Sequence, residues 1–242
     1  TTNNCTMVFK TTVPESYTVK LGSGLTFGEV RFEKTQGNSN TNVTLTDSFT
    51  VLGDMILNDT YGNYCHTIKG SGTQTIAVGG DLKLLAGPIY LSEASGDLKV
   101  ELAGDLDIES GRMRANLTFN GAGAQTISHT GGLIQSGTWT VDKSSGTVSQ
   151  LTPISLFNLD IKNGTYDCNG NNLTTGVGGT TLAVEAGGTF IAPSDTLTIR
   201  GNFTRTGGTF TTNNCKLVFW TQAAEDYIID LGNDSPIFSE VK

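Results

Sequence analysis

A ten-residue phrase with a Gly-Thr-aromatic start and a final Leu occurs three times in this chain. It begins at Gly164, Gly188 and Gly208 and reads GTYDCNGNNL, GTFIAPSDTL and GTFTTNNCKL. A second phrase, in which an apolar residue follows Gly-Asp or Gly-Asn, recurs through the rest of the chain. Its anchoring apolar residues, including one variant that lacks the Gly, are Met55, Leu82, Leu106, Leu159 and Phe203. Together the two phrases indicate a structural repeat of about 22 to 27 residues.

A repeat of this length restricts the fold. It is too short for a propeller blade of four strands, which needs about 40 residues. Strong helix formers are scarce, and short runs of alternating apolar and polar residues are interrupted by Gly, of which there are 31 in 242 residues. This pattern is typical of short strands and turns. We therefore predict an all-β fold, a single-stranded parallel β-helix (β-solenoid) with coils of about 22–27 residues. Crossover chirality favours a right-handed coil.

The alternation also predicts which side chains form the core. In TLTIRGNFTRTGGTF, which begins at Thr196, apolar and polar residues alternate along the strands, so the apolar residues are expected to point inward, and Gly is expected at the corners. The predicted inward residues are Leu197, Ile199, Phe203 and Phe210. The predicted outward residues are Thr198, Arg200, Thr204 and Thr209.

A longer repeat links the two ends of the chain. TTNNCTMVFK at Thr1 returns as TTNNCKLVFW at Thr211. We predict one continuous β-solenoid over residues 1–242, with a superrepeat of about 210 residues in which 211–242 repeat 1–34. The chain begins and ends within the repeat pattern. This predicts either a part of a tandem array or a subunit whose two ends resemble each other.

Several blocks also follow one another in a familiar order. They are LTFNGAGAQTIS from Leu117, LFNLDIKNGTY from Leu156, LTIRGNFTRTGGTF from Leu197 and LVF at Leu217. This order resembles the filamentous-adhesin-like parallel β-helix repeats of microbial secreted and cell-surface proteins. The resemblance implies an extracellular or cell-surface location and a structural or adhesive role, and it supplies no catalytic residues.

Charge and hydropathy bear on the partners. The net charge is −8 and no basic stripe is present, so nucleic acid is not an expected partner. No run of 18 apolar residues occurs, so no membrane span is expected in this segment. The exposed strand edges of a β-solenoid predict pairing with copies of itself, head-to-tail or lateral. Glycans or other cells are further candidate partners.

One acidic residue recurs beside the anchoring apolar residue. Asp54, Asp81 and Asp105 follow Gly in equivalent phrases, and Asn202 follows Gly in another. In a solenoid such residues would stack about 4.8 Å apart, so a bridging Ca²⁺ could relieve their repulsion. The alternative is that they are corner residues that bond nearby backbone groups. The sequence predicts no other metal site or cofactor.

The aromatic residues of the repeated phrase offer a second candidate surface. Tyr166, Phe190 and Phe210, together with Trp139, would form a sugar-binding platform if they faced outward. The neighbouring Thr residues take the outward positions, so we predict that the aromatic residues stack in the core. Trp220 directly follows Phe219, which predicts that one of the two faces outward and makes a contact there.

Asn and Cys residues give the remaining candidates. Asn-x-Ser/Thr sequons mark candidate glycosylation sites, and their number only slightly exceeds the number expected by chance. The candidate residues are Asn42, Asn58, Asn116, Asn163, Asn172, Asn202 and Asn233. The four cysteines have no zinc-binding spacing and are either buried thiols or disulfide partners, with a pairing that spacing does not decide. They are Cys5, Cys65, Cys168 and Cys215.

Nothing in the sequence predicts catalysis. The two histidines, His66 and His129, lie far apart, and the one dense charge group contains Asp107 and Glu109 without an identifiable cleft. We therefore expect a protein that is not an enzyme, namely a structural segment of an extracellular fibre or cell-surface adhesin that assembles end to end or as a tandem array. The alternative is a carbohydrate-binding or polysaccharide-cleaving β-helix protein.

Overall fold

A computed structural model describes residues 4–12, 15–36, 39–60, 65–92, 97–178, 180–220, 227–232 and 236–242. All regular structure in these residues is β-strand, so none of the described segments is a helix that could span a membrane. The chain divides into two compact units. Unit 1 contains Thr1–Thr118 and Ser128–Gly137, and unit 2 contains Phe119–Ile127 and Thr138–Lys242. The strands of each unit stack in parallel as a β-solenoid, with about nine turns in all, which confirms the predicted fold class.

In unit 1 each turn supplies three short strands, one to each of three faces that we number in chain order. Face 1 contains β3 (Leu25–Phe27), β6 (Phe49–Val51), β9 (Gln74–Val78), β12 (Leu98–Leu102) and β15 (Asn116–Phe119). Face 2 contains β1 (Thr6–Thr11), β4 (Glu29–Lys34), β7 (Met55–Asp59), β10 (Leu82–Ala86) and β13 (Leu106–Ile108). Face 3 contains β2 (Tyr17–Val19), β5 (Thr41–Leu45), β8 (His66–Gly70), β11 (Ile89–Leu91), β14 (Arg112–Met113) and β17 (Leu133–Ile134).

Unit 2 has the same three-strand turn, but long strands bend from face 1 into face 2. These are β18 (Thr138–Gln150), β20 (Asn158–Asp167) and β22 (Thr181–Ile191). The two halves of β22 pair with separate strands, β24 (Asn202–Arg205) and β25 (Thr209–Thr211), and β27 (Ile229–Asp230) follows β24. Face 2 begins with β16 (Gln125–His129). Face 3 contains β19 (Ile154–Ser155), β21 (Leu173–Thr175), β23 (Thr196–Ile199), β26 (Lys216–Phe219) and β28 (Glu240–Val241).

Equivalent residues of successive turns lie side by side and form apolar files along each unit. On face 2 of unit 1, Val30 pairs with Met55, Met55 with Leu82, and Leu82 with Leu106, and all four are at most 1% exposed. Successive equivalents are separated by 18 residues at the shortest, from Thr147 to Thr165, and by 27 at the longest, from Phe49 to Ile76. Because every turn packs on the next, the core is a narrow column that matches the modest apolar content of the sequence.

The predicted alternation from Thr196 to Phe210 is borne out by burial. Leu197, Ile199 and Phe203 are at most 1% exposed, and Phe210 is half-buried against Phe190, with ring centroids 5.4 Å apart. Thr209 is exposed.

The two ends that resemble each other in sequence lie on different faces. Thr6–Thr11 forms β1 and pairs with β4 on face 2 of unit 1. Lys216–Phe219 forms β26 and pairs with β23 and β28 on face 3 of unit 2. The 210-residue superrepeat and the right-handed coil both stay predictions from the sequence.

Candidate functional site

The three aspartates of the predicted ladder lie directly before face 2 strands of unit 1. Asp54 precedes β7, Asp81 precedes β10 and Asp105 precedes β13. Two of the carboxylates reach the next turn, because the Asp81 N–H donates to Asp54 Oδ1 and the Asp105 N–H donates to Asp81 Oδ1, both over 2.9 Å. The ladder therefore bonds backbone groups between turns, as the corner interpretation expects.

A lysine ammonium bridges two of these carboxylates. Lys83 Nζ lies 2.6 Å from Asp54 Oδ2 and 3.1 Å from Asp81 Oδ2. Burial would raise the pKa of Asp54, but Lys83 and the Asp81 N–H outweigh it and hold that pKa below its ordinary value. Lys83 thus occupies the position proposed for calcium. Among the described residues, no group of three or more His, Cys, Asp or Glu side chains could hold a metal ion.

Asn202 makes the same kind of hydrogen bond to the next turn, but on another face. It begins β24 on face 1 of unit 2, and its Oδ1 accepts a hydrogen bond from the Ile228 N–H over 2.9 Å. Other polar side chains also accept a backbone N–H from the next turn at corners or strand starts. They are Ser16, Asn40, Ser48, Asn158 and Asn172.

The aromatic residues lie in the core, as predicted. Tyr166, Phe190 and Phe210 are register partners on face 2 of unit 2, and the first two are fully buried. Trp139 is also buried, but it lies on face 1 beside Leu159 and packs edge-on against Phe119. A sugar platform made of these four rings is therefore absent. The hydroxyl of Tyr166 donates to Gln150 Oε1 over 3.0 Å, which satisfies its buried polar atom.

Trp220 is the aromatic residue that faces outward. It is 54% exposed, and the Arg200 guanidinium lies over its ring with Cζ 4.7 Å from the centroid. This agrees with the expectation that one of Phe219 and Trp220 points outward.

A polar cluster that we did not predict lies inside unit 1. Thr11, Lys34 and Asp59 are register partners at the ends of β1, β4 and β7, and Thr41 and His66 are register partners on face 3. All five side chains belong to residues at most 2% exposed. The signal was available in the sequence, because Lys34 continues the inward phase of Val30 and Phe32.

His66 has the most perturbed environment in this cluster. Its Nε2 lies 3.4 Å from Thr11 Oγ1, whereas its buried Nδ1 has no hydrogen-bond partner among the residues that the structure describes. Burial, reinforced by the nearby charge of Lys34, lowers the pKa of His66 from 6.5 to about 4. Burial also lowers the pKa of Lys34, whose ammonium donates to the Ser39 carbonyl over 3.1 Å. The cluster therefore holds a neutral imidazole at neutral pH and can respond to acid.

A second unpredicted feature is a buried lysine in unit 2. Lys143 is 2% exposed, and its ammonium donates to the Gly121 carbonyl and to Oε1 of the buried Gln125. Burial lowers the pKa of Lys143. An adjacent cavity of about 560 Å³ has a polar lining without aromatic rings. The lining residues are Asn120, Asp142, Lys143, Ser144, Asn163, Gly164 and Gly187.

Two acidic side chains of unit 2 interact directly. Burial and the neighbouring Glu185 carboxylate, which shares a hydrogen bond with Asp160, raise the pKa of Asp160. Lys162 Nζ lies 3.6 Å from Asp160 Oδ2 and opposes the shift.

The remaining charged and histidine candidates are not brought together. Asp107 lies half-buried in β13, and Glu109 is exposed after it. His66 lies in the core of unit 1, and His129 is partly exposed at the end of β16.

The cysteines are all free thiols. Cys5 is exposed, Cys65 is partly exposed, and Cys168 and Cys215 are buried. Burial raises the pKa of the Cys168 and Cys215 thiols, which keeps both protonated and poorly reactive.

The glycosylation candidates lie mostly on strands. Asn172 directly precedes β21, and Asn233 lies outside the described residues. Two side-chain amides already donate hydrogen bonds, Asn163 to Asp142 over 2.8 Å and Asn172 to Asp195 over 3.2 Å. The five candidates within strands are Asn42, Asn58, Asn116, Asn163 and Asn202.

No protein-family model, curated protein or solved structure gives a significant match to this chain.

Proposed function

We propose that this chain is a structural segment of an extracellular fibre or cell-surface adhesin, which assembles end to end or as part of a tandem array. Backbone pairing and apolar files that run from turn to turn support a mechanical role, because each turn covers the next. The stacked architecture runs through both units, and the described residues hold no cluster of metal-ligating side chains.

The observation that carries this proposal is an open inward file in unit 2. Ile229 pairs with Phe203, and Val241 pairs with Leu217. The two partners are at most 1% exposed, whereas Ile229 is 38% and Val241 is 58% exposed. Both residues continue a core file but have no turn packed against them among the described residues. The first turn of a second copy would cover this surface.

Electron microscopy and sedimentation of the purified chain test the proposal. We expect filaments or concentration-dependent oligomers, together with protease resistance across the stacked turns. Antibody labelling of intact source cells tests the location, and labelling at the surface is expected. A chain that stays monomeric at high concentration and is found only inside cells would contradict the proposal.

A second candidate function is favoured by the polar cavity of unit 2. Its size is in the range of small-ligand sites, and its Asp142–Asn163 pair offers donors and acceptors that suit sugar hydroxyls. Screening the chain against a panel of neutral and acidic glycans, for binding and for release of reducing ends, tests this candidate. Specific binding that Asp142→Ala abolishes would support it, and a panel without binding or turnover would dismiss it.

A further inference from the structure

Face 3 of unit 1 presents two arginines to one tyrosine ring. Tyr90 in β11 pairs with Arg112 in β14, and Arg114 lies two residues further on the same side of the strand. The guanidinium carbons of Arg112 and Arg114 lie 4.8 Å and 5.8 Å from the centroid of the Tyr90 ring. This cation–π contact fixes the orientation of both side chains without neutralising their charge.

Both guanidinium groups also converge on one neutral atom. Oε1 of Gln135 accepts a hydrogen bond from Arg112 Nη1 over 3.2 Å and from Arg114 Nε and Nη2 over 3.0 Å and 2.7 Å. Two like charges are thus immediate neighbours. Of the five N–H groups of Arg112, only one, on Nη1, donates to a described acceptor, so this guanidinium keeps donors for a ligand.

We propose that Arg112 and Arg114, held by Tyr90 and Gln135, bind the carboxylate or sulfate groups of an acidic polysaccharide. An oxyanion beside the pair would offset their mutual repulsion and accept the forked hydrogen bonds that guanidinium groups make. All four side chains are partly exposed, so a ligand can reach them. The net charge of −8 keeps the attraction local and confines a polyanion to this face. The inference names a partner for the adhesive role proposed above and rests on it.

The test measures binding of heparin, polygalacturonate and neutral dextran to the whole chain at low salt. We expect the chain to bind the two acidic polymers and not dextran, with an affinity that falls as salt rises. Arg112→Gln/Arg114→Gln should weaken binding about tenfold or more. The matched control is Arg31→Gln/Lys99→Gln, which removes two cations of the same unit that are already paired with Glu29 and Glu101. The control should change affinity less than about twofold.

Further variants and competitors distinguish a specific arginine site from general charge attraction. Arg112→Lys/Arg114→Lys keeps the charge but removes the planar fork, so an intermediate loss is expected, and this variant serves if the Gln variant does not fold. Competition by inorganic sulfate at millimolar concentration would show that the arginines bind individual sulfate or carboxylate groups of the polymer. Equal binding to DNA, equal losses in the control, or no binding by the wild type would each overturn the inference. Sedimentation of the same samples keeps it distinct from assembly: filaments without binding overturn only this site, and binding without filaments overturns only end-to-end stacking.

Discussion

Among single residues, the polar side chains that point into the core are expected to have a large effect on stability. Lys34, Asp59 and His66 in unit 1 and Lys143 in unit 2 are at most 2% exposed, although the other residues of the core are mostly apolar. Burying such groups is costly unless hydrogen bonds compensate. The ammonium of Lys143 donates to two neutral oxygens, whereas Nδ1 of His66 has no partner in the described part of the chain.

The depressed pKa of His66 predicts acid sensitivity of unit 1. The unfolded chain takes up a proton at the ordinary pKa of 6.5, whereas the folded chain takes it up at about 4. Stability from the neutral imidazole is therefore complete above pH 6.5 and is lost as the pH falls towards 4, by about 3 kcal/mol in total. We expect hydrogen exchange in β5 and β8 to accelerate over this range. His66→Leu should remove this dependence, and His129→Asn should retain it. A wild-type profile that is flat between pH 6.5 and 4 would contradict the assignment.

One glycine at a corner gives a sharper test of backbone geometry. Gly164 has a φ of 84°, and a Cβ added there would lie 2.9 Å from Lys143 Cβ. Gly164→Ala should therefore destabilise the chain by about 2 kcal/mol or more in urea titrations. Gly123→Ala is the control, because a Cβ there meets no atom within 4 Å and should be neutral or slightly stabilising. Equal midpoints for the two variants would show that the corner tolerates a side chain.

At the scale of the strands, polar side chains before a strand connect successive turns. The Asp54 and Asp81 carboxylates, and Asn158 and Asn172 at other corners, accept backbone N–H groups from the next turn. These bonds satisfy donors at positions where the chain changes face and the strand ladder is interrupted. They also favour one alignment between turns, since a shifted turn would lose them.

The ladder predicts different costs for two substitutions at Asp54. Asp54→Ala removes the acceptor for the Asp81 N–H and the ion pair with Lys83, so it should cost about 1–2 kcal/mol. Asp54→Asn keeps the acceptor and should cost less than half as much. Asp107→Ala is the control on the same face. Because Lys83 already bridges the carboxylates, millimolar calcium should leave the melting temperature unchanged. A calcium-dependent rise would restore the metal interpretation.

At the scale of the whole molecule, parallel stacking makes each turn depend on its neighbour. The apolar files of both units continue from turn to turn, and in unit 2 they end in the exposed Ile229 and Val241. An uncovered core file of this kind is a docking surface for another turn. Assembly is therefore expected to be sensitive to charge at these two positions.

Ile229→Lys/Val241→Lys should abolish end-to-end association while leaving the circular dichroism spectrum unchanged, because a charge would be buried at the contact. Leu151→Lys is the control, since Leu151 is 48% exposed but directly follows the β18 strand in the middle of unit 2. Sedimentation velocity measures both. Filaments that persist in the double variant would show that association uses another surface.

The sequence alone predicted the parallel β-solenoid class and the alternation of inward and outward residues, whereas its coil length of 22–27 residues misses turns as short as 18. Alternation and corner glycines act within a few residues, so they can be read locally, as the burial of Leu197, Ile199 and Phe203 shows. The tertiary structure decided which polar groups meet. Lys83 lies one turn after Asp54 and forms an ion pair with it. Gln135 lies one turn after Arg112 and Arg114 and accepts hydrogen bonds from both. Such partners are more than 20 residues apart, and the varying length of the turns between them sets the register, which alternation does not specify.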